Sequence, residues 1–527
     1  MKRTLPLILF SSAFLLASCG EGPASSDSTP PVEETSSSVA EDIPSLSESS
    51  DLKEDPSSSS SVVAQGGVLY IAPDGTSSGD GTETSPLSFI DGIKASKPGD
   101  TLYLLGGTYR SLSTLFVTKD KTHEAYNDYF DVKDESGRRT ITPAIHDGKE
   151  DKVLFDFSGM SFYSSNRGIT LNSDYWTLRN VEVQGAGDNG VYIGGNHNIC
   201  EGLKIHDCQD TGLQLGRRSS KDNSIAQWPS YNLIKNCTSY DNHDPSGEDS
   251  DGFACKLTTG VGNVFDGCIA YNNVDDGWDL YTKGESGPIG PVTIQNCIAF
   301  NNGITSQGVG TANSDGNGFK LGGENIAVPH IVKNSIAFHN LATGFTDNSN
   351  PGTLRIENCT SFNNGTRDLD ANNFDLCRDT KTSANLYKNL LSYCEGERIS
   401  PITLTSAKAN SRDQYKGAAS HCLFYRGLSF LYIKDVTDVD YSSSAKAGEL
   451  YREPNGKVPF QSVASPQRQS SKGVPSPDST NIHALWRDEN GDIALGDFLK
   501  VNPDSAFFSM GEEGTPLGAN LAGGQSK

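Results

Sequence analysis

The chain has 527 residues and a formal net charge of −23, because 66 Asp and Glu outnumber 43 Lys and Arg. This balance excludes a typical nucleic-acid binder, which needs clustered Lys and Arg to neutralise phosphates. The length allows two to four domains or one large β domain. An acidic chain also repels an acidic polymer, so contact with one requires a cation between them.

The first residues have the pattern of an export signal. Lys2 and Arg3 precede an apolar run from Leu5 to Leu16. At about 12 residues, this run is too short for a permanent transmembrane helix. The sequence Leu-Ala-Ser-Cys that ends at Cys19 resembles a bacterial lipobox, in which the cysteine is lipidated and becomes the mature N-terminus. The alternative is an ordinary signal peptide with a chance cysteine.

These patterns divide the chain into three predicted parts. Residues 1–19 are predicted to be a lipoprotein signal peptide, and residues 20–65 a disordered tether rich in Ser, Pro and acidic residues. Residues 66–527 are predicted to form one folded domain. We expect an exported monomer, held by its lipid at the outer membrane or cell surface of a bacterium, with secretion as the alternative.

The start of the folded part predicts a cap. The segment Val68–Ala72 has the composition of a strand. Ser85 and Pro86 fit the N-cap and first position of a helix. The apolar face expected for this helix consists of Leu87, Ile90 and Ile93. A further strand is expected at Leu102–Leu105, and a short amphipathic helix at this place would cover the open end of a β solenoid.

From Trp176 to Tyr393 the sequence repeats short β-like runs separated by turn residues. One register position recurs every 24 to 38 residues and holds Asn180, Asp207, Asn236, Gly267, Asn296, Asn334, Asn358 and Asn389. An irregular period in this range, without Leu-rich or helical periodicity, is typical of a β solenoid. We predict an all-β fold, a right-handed parallel β-helix with an N-terminal helical cap.

Two further files of residues run through the repeat. The next register position holds Val181, Cys208, Cys237, Cys268, Cys297, Ser335, Cys359 and Leu390. It indicates an inward stack of buried thiols, with disulfides between coils as the weaker alternative. The other file holds Asn242, Asn273, Asn302, Asn340 and Asn364. Stacked amides there are expected to hydrogen-bond from coil to coil and to adopt a left-handed turn.

The repeat fades after about Ser406. Residues 443–480 are rich in Ser and Pro and are predicted to be loop. The segment Asn490–Asn520 contains strand-like pieces. It is expected to pack against the last coils without forming a separate domain.

Charged residues occupy equivalent positions on neighbouring coils, close to a glycine that an aromatic or aliphatic residue follows in each repeat. The position before the glycine holds Asp251 and Asp276 on adjacent coils, and Asp275 extends this file into the turn. The position two after the glycine holds Asp279 and then Lys320. Because stacked coils are separated by about 4.8 Å, these side chains are predicted to converge.

Carboxylates this close repel one another unless a cation lies among them. Ca²⁺ takes oxygen ligands, and the absence of His and Cys from these files argues against zinc. The predicted ligands are Asp251, Asp275, Asp276 and Asp279, with the backbone carbonyl of Asn273. The alternatives are ordinary Asp-Gly turns, a purely structural calcium site and a solvated surface lysine. The coincidence on three consecutive coils favours a functional site.

The strings DSDGFACK, NNVDDGWDLYTKGESGPIGPVTIQNC and GNGFKLGG resemble the core of bacterial pectate lyases of polysaccharide lyase family nine. The resemblance runs from Val68 to the C-terminal NGDIALGDFL segment. It implies a right-handed parallel β-helix that binds Ca²⁺ through the four aspartates and uses Lys320 as the base. One segment departs from the expected pattern: Gly303–Asn317, just before that lysine, is longer and richer in glycine.

The reaction implied is β-elimination on an anionic plant cell-wall polysaccharide such as polygalacturonate. Lys320 would remove the C5 proton of a uronate, and the product would be a 4,5-unsaturated oligosaccharide. The cations predicted to bind the sugar chain are Arg217, Arg218, Lys256 and Lys283, with solvated surface charge as the alternative. Two other functions stay open: a hydrolase of the polygalacturonase kind, with paired aspartates as acid and base, and a non-catalytic adhesin stabilised by calcium.

Overall fold

The computed structural model describes residues 66–118, 132–365, 372–377, 384–395, 413–426, 429–442, 448–451, 458–463, 486–488 and 490–521. The predicted signal peptide, Cys19 and the tether lie outside these ranges. Within them, no helix is long and apolar enough to cross a membrane.

The repeat folds into a parallel β-helix, in which each full coil contributes one short strand to each of three ladders. The first ladder consists of Val68–Ile71, Thr101–Leu104, Arg139–Pro143, Trp176–Arg179, Ile199–Glu201, Leu233–Lys235, Asn263–Asp266, Val292–Gln295, Ile331–Lys333, Arg355–Glu357 and Asn385–Lys388. The second ladder consists of Gly107–Arg110, Val153–Asp156, Glu182–Gln184, Lys204–His206, Thr238–Tyr240, Ile269–Tyr271, Ile298–Phe300, Ile336–Phe338, Thr360–Phe362 and Leu391–Tyr393. The third ladder consists of Leu115–Val117, Ile169–Leu171, Val191–Ile193, Leu213–Leu215, Phe253–Cys255, Trp278–Asp279, Phe319–Lys320, Phe345–Thr346 and Phe374–Leu376. The predicted all-β solenoid is confirmed.

One left-handed residue turns the chain from the first ladder into the second. All eight residues of the predicted register position have positive φ, from 44° at Asn334 to 66° at Gly267, and seven of them lie at this corner. The prediction is wrong at Asp207, which follows the second-ladder strand Lys204–His206; on that coil the corner residue is Gly202, with a φ of 65°. Asn, Asp and Gly adopt this conformation at lower cost than other residues do. Except on that coil, the sequence repeat is therefore the repeat of one backbone corner.

Buried amides connect the coils at the corner between the second and third ladders. Each asparagine of this file donates a hydrogen bond from Nδ2 to Oδ1 of the next one, over 2.8–3.0 Å. The file runs through Asn242, Asn273, Asn302, Asn340 and Asn364, all fully buried. The predicted amide ladder is confirmed.

The left-handed conformation predicted for these asparagines is wrong. Positive φ belongs to the residue immediately before each of them, because the asparagine itself must direct its amide along the buried stack. These preceding residues are Asp241, Asn272, Asn301, His339 and Asn363.

The predicted thiol file lies in the core. Its eight members, from Val181 to Leu390, are all buried. The ten cysteines from Cys200 to Cys422 are free. The interpretation as an inward stack is therefore confirmed from Cys237 onward, and the disulfide alternative is not. It is wrong at Cys208, which follows the second ladder and donates its N–H to Oδ1 of Asn242 over 3.1 Å.

A short helix, α1 (Phe89–Ala95), lies near the N-terminal end of the coils. It buries Phe89 and Ile93 in the same apolar core as the coil strands. The ring of Phe89 meets Phe155 edge-on at 5.3 Å between centroids. The cap is therefore continuous with the core of the first coils.

The start and the buried face predicted for this helix are partly wrong. Its N-cap is Ser88, not Ser85, and the Ser88 side chain accepts a hydrogen bond from the first turn. Leu87 instead pairs with Ile71 in a short parallel bridge. Ile90, predicted on the buried face, is 41% exposed because the buried face consists of Phe89, Gly92 and Ile93.

Three antiparallel strands follow the coils: Gln414–Tyr425, Phe430–Asp440 and Glu449–Tyr451. The first of them also extends the first ladder, because it pairs in parallel with Asn385–Lys388. The loop predicted over 443–480 is wrong at Glu449–Tyr451, and most of that range lies outside the described residues.

The C-terminal segment packs against the last coils, as predicted, and it lies across the second ladder. The ring of Phe498 meets Phe338 at 5.1 Å, and Asp492 accepts a hydrogen bond of 3.2 Å from Asn236. Just before this segment, Arg487 donates to the carbonyl oxygen of Gly267 over 2.7 Å. The contacts therefore reach the middle coils as well as the last ones.

Candidate active site

Aromatic side chains anchor the site strands from inside. Phe253, Trp278 and Phe319 stack at 4.9 and 4.8 Å between ring centroids. Because side chains alternate along a strand, the residue after each aromatic lies on the outer side of the ladder. The preceding glycine is required by close packing, since a Cβ at Gly277 would lie 2.6 Å from the carbonyl oxygen of Gly318. This step therefore fixes where each coil presents a functional side chain.

The predicted register of the third ladder is confirmed. Asp279 pairs with Lys320 on the next coil and with Ala254 on the preceding one. The N–H of Asp276 donates to Oδ1 of Asp251 over 3.2 Å. Carboxylates of adjacent coils are thus neighbours, as the alignment of the repeat required.

Three buried carboxylates converge at the turns before these strands. One oxygen from each of Asp251, Asp275 and Asp276 lies within 4.8 Å of the others. Burial raises the pKa of Asp251 and that of Asp275 well above the usual range, and neighbouring carboxylates raise both further. Burial also raises the pKa of Asp276 to about 6. These carboxylates are therefore costly to ionise unless a cation joins them.

Asp279, the fourth predicted ligand, lies outside this group of three. Its Oδ2 is 3.0 Å from Nζ of Lys256, which also lies 2.7 Å from Oδ2 of Asp251. Although burial raises the pKa of Asp279, Lys256 and Lys320 hold it below the usual value. Lys256 was predicted to bind sugar, but the structure places it inside the carboxylate cluster, because both aspartates draw its ammonium group inward.

Lys320 also contacts two carboxylates. Its Nζ lies 3.1 Å from Oδ2 of Asp276 and 2.8 Å from Oδ2 of Asp315. Burial alone would lower the pKa of Lys320, but Asp276, Asp279, Asp275 and Asp315 together raise it well above its usual value. The site therefore favours the protonated lysine at neutral pH.

The long connection Gly303–Asn317 supplies part of the site. The N–H of Asp315 donates to Oδ1 of Asp275 over 2.5 Å. Asn317 donates twice to Oδ1 of Asp276, over 2.6 Å from its backbone and 3.0 Å from its side chain. The sequence did not predict either residue. Asn317 occupies the aspartate file and could have been found there, whereas nothing periodic places Asp315.

The residues present fit a hard divalent cation such as Ca²⁺. The available donors are oxygens, which Ca²⁺ prefers. Oδ2 of Asp276 is buried and accepts no hydrogen bond, despite its 3.1 Å distance from Nζ of Lys320. The contacts do not support Asn273 as a ligand, because its carbonyl accepts the N–H of Gly303 over 2.8 Å and its amide belongs to the buried ladder.

A groove of about 690 Å³ lies beside the cluster on the third-ladder side. It brings together the four predicted cations and adds Arg167, which the sequence analysis missed. The predicted members are Arg217, Arg218, Lys256 and Lys283. The charged residues that line the groove are therefore five cations and one carboxylate, Glu285, next to a cluster of carboxylates.

The cations of the groove differ in their availability. Arg217 is half-buried and Lys283 is exposed, and neither forms an ion pair with another described residue. Arg218 is almost buried, with Nη1 3.5 Å from Asp174. Arg167 is also engaged, since its guanidinium lies 3.4 Å from the ring centroid of Tyr192. Arg217 and Lys283 are therefore the groove cations best placed to meet an anion.

The fold and the site together define a parallel β-helix protein with a carboxylate and lysine centre on the outer side of one strand ladder. The chain belongs to the Pel9A-like, right-handed β-helix family, whose sequence profile matches residues 69–387. This membership confirms the predicted handedness and the resemblance to family-nine pectate lyases at the level of the family.

Two relatives of this chain are named as pectate lyases. "Pectate lyase L" of Paenibacillus polymyxa (strain SC2) is 49% identical over 310 residues, which are 59% of this chain and 66% of that protein. "Pectate lyase L" of Thermoclostridium stercorarium is 44% identical over 307 residues, 58% of this chain and 23% of that protein. The matched region thus spans less than two thirds of either relative.

Solved structures agree with the fold. The crystal structure of pectate lyase Pel9A superposes with a TM-score of 0.58 and 25% identity, and the match covers 86% of this chain and 94% of that one. A rhamnogalacturonan lyase superposes with a TM-score of 0.52 at 21% identity, over 83% of this chain and 97% of that one. The second likeness concerns the fold alone.

Proposed function

We propose that this protein is a calcium-dependent pectate lyase that cleaves polygalacturonate-type chains by β-elimination. The observation that carries the proposal is the in-register stack on three consecutive coils. A carboxylate oxygen of Asp251 lies within 4.8 Å of one of Asp276, and Nζ of Lys320 lies 3.1 Å from Oδ2 of Asp276. Family membership and the names of the relatives support the same activity.

The carboxylates would hold the metal. Asp251, Asp275 and Asp276 are the proposed ligands, with Asp279 as a further one once Lys256 releases it. When bound, Ca²⁺ would neutralise the substrate carboxylate and stabilise the negative charge that develops next to C5. The metal also allows an acidic protein to bind an acidic polymer.

Lys320 is the proposed base. In its neutral form, Nζ removes the proton from C5 of the uronate, and the electrons of that C–H bond form the double bond between C4 and C5. The bond from C4 to the glycosidic oxygen breaks, and the leaving oxygen takes a proton from water. A base has to be neutral, and the raised pKa of Lys320 therefore predicts activity that increases toward alkaline pH.

The groove supports an anionic substrate. Arg217 and Lys283 present charges that no described carboxylate neutralises, close to the cluster. They are proposed to bind uronate carboxylates on the sugars next to the scissile bond. Arginine suits this role because its guanidinium can bind a carboxylate through two parallel hydrogen bonds.

One assay separates the candidate activities. Polygalacturonate is incubated with the protein in Ca²⁺ or in chelator, and both reducing ends and the ultraviolet absorbance of an unsaturated product are followed. Calcium-dependent growth of absorbance is expected. Reducing ends without absorbance would instead indicate a hydrolase, and neither signal would indicate a binding protein.

We also propose export and lipid attachment at Cys19, on the basis of the apolar run and the Leu-Ala-Ser-Cys sequence that ends there. Expression in a lipoprotein-processing bacterium with labelled palmitate tests this. The wild-type chain is expected to take up label and Cys19→Ser is not. Equal labelling of the two would contradict the proposal.

A further inference from the structure

The Lys256 side chain places a positive charge inside the carboxylate cluster. Its Nζ lies 2.7 Å from Oδ2 of Asp251 and 3.0 Å from Oδ2 of Asp279. The side chain is only 10% exposed. One of these aspartates belongs to the converging group of three, and the other was predicted from sequence as a metal ligand. The lysine therefore uses oxygens that a cation would need.

The position of Lys256 follows from the coil. It comes directly after the strand Phe253–Cys255, two residues beyond Ala254, so that both lie on the outer side of the ladder. Ala254 pairs with Asp279 on the next coil. Its methyl group is too short to fill the space beside that aspartate, and the lysine reaches it diagonally.

The contacts of Lys256 distinguish it from the other groove cations. Arg217 and Lys283 have no ionic partner among the described residues, which suits binding of an external anion. The ammonium group of Lys256 is already shared by two buried carboxylates. A sugar carboxylate would have to displace both of them to bind it.

We propose that Lys256 is the resident counter-cation of the carboxylate cluster. It neutralises Asp251 and Asp279 in the absence of metal, and it competes with Ca²⁺ for the same oxygens. Calcium affinity is therefore set lower than the aspartates alone would give, and binding is reversible. This inference rests on the calcium site proposed above.

Removing the Lys256 charge should have opposite effects on the stability of the metal-free protein and of the calcium-bound protein. Without Lys256, the metal-free cluster loses the ammonium group that contacts Asp251 and Asp279, so the metal-free protein is less stable. The calcium-bound cluster gains from the same change, because a buried like charge next to the divalent ion is removed. The gain in stability on adding calcium must then increase.

The test compares four full-length proteins: wild type, Lys256→Met, Lys256→Gln and Lys283→Met. Each is purified, freed of metal with chelator and titrated with CaCl₂ by calorimetry. Its melting temperature is measured in chelator and in saturating calcium. Lys256→Gln keeps a hydrogen-bond donor but not the charge, and Lys283→Met removes an exposed groove charge as the matched control.

We expect Lys256→Met and Lys256→Gln to bind calcium at least tenfold more tightly than wild type. Both should melt lower in chelator and show a larger increase in melting temperature on adding calcium. Lys283→Met should match the wild type in all three measurements. If Lys256→Met does not survive removal of calcium, the Lys256→Gln titration decides.

Each contrary result is distinct. A wild type that binds calcium with an affinity unchanged or weakened in both Lys256 variants overturns the counter-cation role and leaves the calcium site intact. Wild-type affinity in Lys256→Gln alone assigns the effect to hydrogen bonding and also overturns it. A wild type that neither binds calcium nor is stabilised by it overturns the proposed metal dependence, and this inference with it.

Discussion

Two stacks of polar side chains run side by side at the corner between the second and third ladders, and they behave in opposite ways. In the amide ladder, each asparagine satisfies the next through hydrogen bonds of 2.8–3.0 Å. In the aspartate files, like charges converge within 4.8 Å and their pKa values rise. The same coil spacing thus stabilises a neutral stack and strains a charged one. The charged stack lies at the proposed active site.

The largest expected effect lies in the charged stack, at Lys320. Replacing it with Ala removes the proposed base, and kcat should fall by about 10³-fold or more, since a positioned base contributes roughly 10²–10⁴-fold. Initial rates of absorbance growth on polygalacturonate measure this. The control is Lys333→Ala on the first ladder, which should retain activity. Substantial activity in Lys320→Ala, with an unchanged melting temperature, would falsify the role of Lys320.

Neutralising one aspartate should separate affinity from stability. Asp276→Asn keeps the shape of the side chain and removes a proposed ligand charge, so calcium affinity should fall by about 100-fold. In chelator, the variant should melt at the wild-type temperature or higher, because burial raises the pKa of Asp276 to about 6 and so makes its charged form costly there. Calorimetry and thermal melts measure the two effects. A metal-free variant much less stable than wild type would contradict the comparison between the stacks.

The neutral stack should respond in the opposite way. Asn302 donates to Oδ1 of Asn340 over 2.9 Å and accepts from Asn273 over 3.0 Å. Asn302→Ala leaves buried amides unsatisfied and should lower the free energy of unfolding by about 2–4 kcal/mol, with kcat per folded molecule changed less than about twofold. Denaturant unfolding measures the loss, and the exposed Asn313→Ala is the control. A loss equal to that of the control would refute the importance of the ladder.

The third kind of polar contact is a cluster in which one histidine lies between two carboxylates and balances their charge. His206 lies with Nδ1 2.6 Å from Asp207 and Nε2 3.0 Å from Glu182. Burial alone would lower its pKa, but the two carboxylates raise it to about 9. Because the folded pKa exceeds the unfolded value of about 6.5, the stabilisation is complete below that pH and is lost as pH rises through about 9.

His206→Gln should therefore lower the free energy of unfolding by about 1–2 kcal/mol at pH 6 and by much less at pH 10. Denaturant unfolding at the two pH values measures the difference. His243→Gln is the control, because His243 hydrogen-bonds a backbone carbonyl and no carboxylate among the described residues. An equal loss at both pH values would contradict the ion-pair interpretation.

The smallest expected effect concerns Asp315. This carboxylate lies 2.8 Å from Nζ of Lys320 and contributes to its raised pKa. Asp315→Asn should shift the rising limb of the pH profile of kcat/KM to lower pH, by about one unit or less for a carboxylate exposed to solvent. Rates in saturating calcium across neutral to alkaline pH measure it. A flat wild-type profile, or a shift to higher pH in the variant, would contradict the assignment of the base.

Periodic features were predictable because the backbone imposes them at every coil. The alignment of Asp279 with Lys320 followed from the glycine step, and the repeat position marked the same left-handed corner on every coil except that of Asp207. Non-periodic contacts were not predictable. Asp315 comes from a connection without a repeat, so its approach to Lys320 depends on the folded path of that loop.

Competition between local signals explains the other errors. Ser85 and Ser88 both have the composition of an N-cap, and the bridge between Leu87 and Ile71 decides in favour of the second. Lys256 was predicted to bind the sugar chain, and the structure places it between two aspartates. The Lys256 side chain can contact Asp279 on the next coil because Ala254, which pairs with that aspartate, is small. The repeat alignment alone did not predict this contact.

A crystal grown in calcium tests the central claim most directly, that the turns of two adjacent coils assemble one cation site. Anomalous difference density is expected within coordination distance, about 2.3–2.6 Å, of carboxylate oxygens of Asp251, Asp275 and Asp276. No such density at saturating calcium would contradict the claim. Density only at a site that excludes these three residues would contradict it equally.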